Sequence, residues 1–130
     1  YFTIAELCKS TTADRLGINN RCRQEHVTAL TALVDNVLDP LRTWWGKPIT
    51  VNSGYRCPEL NAAVKGSKTS QHMVGEAADI DTGDRQQNKL LFEYIRKNLP
   101  YDQLIDESNF AWVHVSYRAD GNNRMQILKL

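Results

Sequence analysis

With 130 residues, 42% of them hydrophobic and 24% charged, the chain has the size and composition of one globular domain able to bury a core without staples. A formal net charge of +1 offers no electrostatic case for nucleic acid or an anionic membrane, and no apolar run approaches the ~20 residues of a membrane span. The chain begins at Tyr1 rather than Met, as a trimmed start or signal segment would leave it, and nothing within it reads as a signal peptide.

Thr3, with Glu6 three residues on, marks a capping box for a short helix over Ile4 to Lys9. Thr11 to Asn20 is polar and ends in Gly-Ile-Asn-Asn, which reads as loop. From Arg23 to Trp45 apolar residues recur at helical spacing (Val27, Leu30, Leu33, Val34, Val37, Leu38, Leu41, Trp44), interrupted at Pro40, where the helix must kink or restart. His26 lies in this helix and is expected at the surface. Pro48 to Val51 predicts a short strand, Glu59 to Val64 a short helix, and Gly66 to Gln71 a polar loop. Alternation from Ala77 to Asp81 puts Ala77, Asp79 and Asp81 on one strand face, with Ala78 and Ile80 on the other. Asp84 then begins a second helix, with Leu90, Leu91, Tyr94 and Ile95 on its buried side and Pro100 just beyond it. Gln103 to Ile105 and Trp112 to Tyr117 predict strands joined by a turn at Ser108-Asn109, and Met125 to Leu130 an edge strand. The expected fold is α+β: N-terminal helices packed on a small, mostly antiparallel sheet, in one domain over residues 1–130.

Three cysteines, Cys8, Cys22 and Cys57, cannot all pair within one chain, and none sits in a Cys-x-x-Cys clip. A Cys8–Cys22 bridge is open to a chain that matures outside the cytoplasm. Cys57 has the position of a turn residue before Pro58, with a soft zinc ligand or a nucleophile as the alternative.

The chemistry is concentrated in Ser70-Gln-His-Met-Val-Gly-Glu-Ala-Ala-Asp79, which sets His72 and Asp79 seven residues apart, and in His114 downstream. Two imidazoles and one carboxylate make a facial set that suits zinc and leaves a fourth position open, as catalytic zinc sites do. A two-residue hairpin turn at Gly75-Glu76 would bring His72 opposite Asp79; a loop feeding a strand would serve equally. Asp81, on the same face as Asp79, is a rival ligand. His114 alternates with Val113 and Val115 and so points away from them, either as a core histidine or as a ligand.

Ser70-x-His72-x-x-Gly75-x-Ala77-x-Asp79 resembles the motif of the zinc D-alanyl-D-alanine carboxypeptidases and dipeptidases, a superfamily that includes the Hedgehog signalling domain and phage endolysins. Ser53-Gly-Tyr-Arg56, Leu60-Asn61 and Gly66-Ser67 resemble its upstream block. Gln103-Leu-Ile followed by Trp112-Val-His114-Val-Ser116 resembles its closing block. Phe2 to Leu7 and Leu38-Asp-Pro-Leu-Arg42 resemble its compact bacterial and phage branch, so the resemblance covers nearly the whole chain.

The resemblance implies one zinc ion held by His72, Asp79 and His114. It implies that Arg56 polarises the substrate carbonyl without itself being a metal ligand; Ser70 is placed to hydrogen-bond substrate or to hold the loop, and Gln71 to line the pocket. Some family members carry their catalytic acid three residues before the last histidine. That position is Ala111 here, and the compact branch nominates Glu107 instead, with Asp106 as rival. The implied activity is zinc-dependent hydrolysis of peptide bonds in peptidoglycan stem peptides. The expected state is a monomer acting at the cell wall, without nucleic acid or a membrane span. A non-catalytic zinc-containing wall-binding module and a metal-free structural domain are the competing readings.

Overall fold

The computed structural model describes residues 1–130. Five strands, β1 (Thr50–Ser53), β2 (Ala77–Asp81), β3 (Gln103–Glu107), β4 (Trp112–Ser116) and β5 (Gln126–Lys129), form one sheet in the order β1-β2-β4-β3-β5. All neighbours are antiparallel except β5, which runs parallel to β3. The α+β expectation holds, edge strand included. No helix is long and apolar enough to cross a membrane.

Thr3 caps α1 (Ile4–Cys8), its hydroxyl accepting the Glu6 N–H at 3.1 Å. The segment read as loop contains a second helix, α2 (Thr11–Leu16), capped by Ser10 and ended by left-handed Gly17. Its only buried residue is Ala13, so it has no apolar stripe for periodicity to detect. The long helix divides into α3 (Gln24–Leu33), one π turn (Val34–Leu38) and α4 (Asp39–Trp45). The wide turn, in which the Asp39 N–H donates to the Val34 carbonyl, carries the chain into Pro40, which offers no N–H of its own. A short α5 (Pro58–Ala63) follows β1.

Between β2 and β3 lies α6 (Arg85–Asn98), capped by Asp84, whose Oδ1 accepts the Gln86 and Gln87 N–H groups at 2.8 and 3.2 Å. It buries Leu91, Phe92 and Ile95, whereas Leu90, expected inside, is 53% exposed. The buried stripe is rotated by one position, with Phe92 taking the place assigned to Leu90.

Register gives the sheet two faces. Ala78, Ile80, Leu104, Val113 and Val115 point to one side and form the core with Leu30, Leu33, Val37, Leu38 and Leu41 of the N-terminal helices and Leu91 and Ile95 of α6. Asp79, His114, Ile105 and Glu107 alternate with these and face the other way. Cys8 and Cys22 form a disulfide that ties the end of α1 to the segment before α3. Closing a loop of that size contributes about 3 kcal/mol by restricting the unfolded chain. Cys57 is free and heads α5, its sulfur accepting the Leu60 N–H at 3.5 Å, which bears out the turn reading.

Candidate metal centre

His72 does not lie on a strand. Ser70 starts a single 3-10 turn over Gln71–Val74, its hydroxyl accepting the His72 N–H at 3.2 Å, and Gly75 ends it at φ +78°. A side chain at Gly75 would be strained by that φ and would meet the His26 carbonyl oxygen at 2.8 Å. The hairpin option is therefore replaced by the alternative, a turn feeding a strand: β2 is already paired on both sides, with β1 and β4. His26 itself is half-buried, stacked on Tyr55 with ring centroids 4.2 Å apart.

The antiparallel register sets Asp79 directly opposite His114, and the turn delivers His72 to the same point. His114 Nδ1 lies 3.0 Å and His72 Nε2 3.3 Å from Asp79 Oδ1. All three side chains are nearly buried, and they are the residues whose ligand atoms gather closely enough to hold a metal. Asp81, the rival carboxylate, is occupied elsewhere, accepting from the Gly83 N–H and the Asn88 amide at 2.8 and 2.9 Å. Burial pushes the Asp79 carboxyl up, but the hydrogen bond with His114 Nδ1 and the two imidazoles beside it outweigh this, holding the group well below the usual carboxylate range.

The donor set passes a test of fit to zinc. His72 Nδ1 sits 2.7 Å from the Gly54 carbonyl, which accepts only a protonated nitrogen, so the neutral ring keeps its lone pair on Nε2. That Nε2 is buried without a hydrogen-bond partner, facing a carboxylate oxygen that is also an acceptor. Two acceptors 3.3 Å apart repel unless a cation lies between them. Ligand atoms ~2.0–2.1 Å from a tetrahedral zinc are about 3.3 Å from one another, which matches the observed spacing.

Arg56 is more engaged than the sequence implies. Its guanidinium donates to Ser53 Oγ at 3.0 Å, to Asn61 Oδ1 at 3.1 Å and to Asp79 Oδ2 at 3.4 Å, so it holds the candidate ligand carboxylate as well as facing the cleft. Its backbone N–H also donates to the His72 carbonyl at 3.0 Å. Gly66 has no side chain for a physical reason: a Cβ there would collide with the Asn61 carboxamide and come within 2.8 Å of Arg56 Nη1.

Glu107 lines the same cleft, on the face shared with His114, and burial followed by the nearby Asp79 charge pushes its carboxyl up. Asp106 points to the opposite face and accepts the Phe110 N–H at 2.6 Å, closing the turn between β3 and β4. Ser70 and Gln71 also line the cleft, which measures about 700 Å³. Sequence reasoning assigned no role to Asn61, Asp102, Arg118 or Arg124. Asn61 lay within a recognised block, but the other three carry no local signal and meet only through the fold.

The fold is a five-stranded sheet with helices packed on one face and a candidate His-Asp-His metal centre on the other. The family model for Peptidase M15 matches residues 1–116, and the chain belongs to that family. It is also similar to a zinc D-Ala-D-Ala carboxypeptidase from Streptomyces albus G, with 38% identity over 76 residues, covering 51% of this chain and 30% of that protein. The chain thus matches less than a third of the length of that relative. Family membership and the donor set together support zinc as the cofactor.

Proposed function

We propose that residues 1–130 form one zinc peptidase domain that hydrolyses peptide bonds of bacterial peptidoglycan, as a carboxypeptidase of the D-Ala-D-Ala type or an endolysin-like endopeptidase. The observation that carries this reading is the orphaned His72 Nε2 facing Asp79 Oδ1 across the gap a zinc ion would fill. When bound by His72, Asp79 and His114, one zinc ion supplies a Lewis acid that acidifies water and polarises a carbonyl.

The protein's own groups do the rest. Glu107 takes the proton of the attacking water and delivers it to the leaving amine, and the burial and Asp79 charge that raise its carboxyl make it a better base than an ordinary carboxylate. Arg56 keeps unspent N–H donors beside Asp79, and these stabilise the charge that develops on the carbonyl oxygen. Ser70 and Gln71 wall the substrate. A Cys8–Cys22 disulfide suits a protein that works outside a reducing cytosol, as access to the wall requires.

The test is incubation of the zinc-loaded protein with purified muropeptides, with products read by mass spectrometry. New peptide fragments support the reading and identify the scissile bond. One bound zinc with no product from any muropeptide would instead leave a recognition module.

A further inference from the structure

Asp102, just before β3, is fully buried and serves two arginines. Its Oδ1 accepts from the Arg124 backbone N–H at 2.8 Å and from Arg124 Nε at 3.1 Å. Its Oδ2 accepts from Arg124 Nη2 at 2.7 Å and from the Gln71 amide at 2.9 Å. Arg118 Nε lies 3.3 Å from the same Oδ2. One carboxylate thus balances only one of two guanidiniums, which are 36% and 46% exposed and line the cleft that holds the metal centre.

Donor capacity remains unspent. Arg124 binds Asp102 through Nε and Nη2, which leaves Nη1 free, and both terminal nitrogens of Arg118 are free. The arm is also rigidly mounted. The Asp102 N–H donates to the Ser116 carbonyl and its own carbonyl accepts the Gln126 N–H, at 2.8 and 2.9 Å, so β4 and β5 fix its backbone. Among the cleft-lining side chains Arg56, Lys65, Arg118 and Arg124 outnumber Asp79 and Glu107, and even with Asp102 behind the arginines positive charge is in excess, on a chain whose net charge is only +1. A plain structural lock between β3 and β5 would need one arginine; the second presents its free donors to the cleft.

We propose that Arg118 and Arg124, mounted on Asp102, form a carboxylate-recognition arm at the β5 end of the cleft that selects acidic peptide substrates. The assignment rests on the peptidase reading and makes the two arginines specificity determinants rather than catalytic residues. The carboxylate can be the peptide's C-terminus or a carboxylate within it, and the test separates the two.

The experiment titrates zinc-loaded Glu107→Gln protein, which binds without turnover, with a synthetic stem pentapeptide ending in D-Ala-D-Ala. Two analogues are titrated alongside, one amidated at the C-terminus and one at its internal glutamate carboxylate. The same series is repeated with Arg118→Gln and Arg118→Lys added. The expected result is that one analogue binds roughly 10-fold or more weakly than the parent, the scale of a lost charge-assisted hydrogen bond. Arg118→Gln should erase that difference, Arg118→Lys should restore part of it, and the melting temperature should stay put because Arg118 is the more loosely held of the pair. Equal affinity for all three peptides, an equal loss on all three in Arg118→Gln, or no binding at all would overturn the arm. Hydrolysis by the unaltered protein is measured separately, so selective binding without turnover would sink the peptidase reading and leave the arm standing.

Discussion

Asp79 and Asp102 are both buried carboxylates beside the same cleft, both held ionised, and their neighbours make them different objects. Burial raises each, and in each case hydrogen bonds and positive charge overcome it. Asp79 lies between two imidazoles, which can give up their protons and become ligands; Asp102 lies between two guanidiniums, which cannot. The first arrangement is left with an orphaned lone pair and calls for a cation. The second is already satisfied by permanent charge and instead presents spare donors to an anion. One carboxylate thus belongs to the candidate metal centre and the other anchors arginines.

The comparison breaks most visibly at Asp79. Asp79→Asn keeps the shape but removes the charge, and is expected to abolish activity and most zinc binding, read by metal analysis of the purified protein. A fully zinc-loaded Asp79→Asn protein would move the ligand role elsewhere. Glu107→Gln should keep zinc and fold yet lose roughly 10²–10⁴-fold in turnover, the range for general acid–base catalysis. Normal turnover there would remove Glu107 from the mechanism.

Arg56→Ala should cost roughly 10²–10³-fold in turnover, the scale of one oxyanion donor. Because Arg56 also donates to Asp79 Oδ2, zinc affinity should fall as well. Turnover lost with zinc affinity intact would mean the Asp79 contact contributes nothing. At the other carboxylate, Asp102→Asn should leave zinc content unchanged while costing about 2–3 kcal/mol of stability, the range for hydrogen bonds to charged groups. Chemical denaturation measures this, and loss of zinc in that variant would show that the two sites are not independent.

The smallest effect is one of pH. The Asp102 carboxyl is lowered from 3.8 to about 2, so its stabilisation is fully present above about pH 4 and is lost as pH falls through about 2. With its arginine partners half in solvent, about 1–2 kcal/mol is expected from this group. Comparing acid unfolding of the native and Asp102→Asn proteins isolates it; identical profiles would assign the acid sensitivity to other groups.

Much of this was legible along the chain. Strand alternation alone put Asp79 and His114 on faces opposite their apolar neighbours, and capping residues located α1 and α6. Alternation could not choose between Asp79 and Asp81, because residues two apart share a face. The choice came from Asn88 of α6 and Gly83, which occupy Asp81, and from the β4 register, which sets His114 opposite Asp79. Glu107 and Asp106 were separable in principle by the same alternation, once β3 was known to extend to residue 107. The short α2 escaped because it has no apolar stripe, and the π turn before Pro40 because its buried Val34, Val37 and Leu38 keep the spacing of an ordinary helix.

By itself, then, the sequence determined most element types and the α+β class, because side-chain periodicity and caps are local properties, and its resemblance to a family nominated His72, Asp79 and His114 as the candidate ligand set. Only the tertiary structure decided that His72 meets Asp79 from a 3-10 turn, that Arg56 donates to the Asp79 carboxylate, and that Asp102 anchors Arg118 and Arg124. Those contacts join residues 7 to 23 positions apart, and no local pattern encodes which distant donor a buried carboxylate will find.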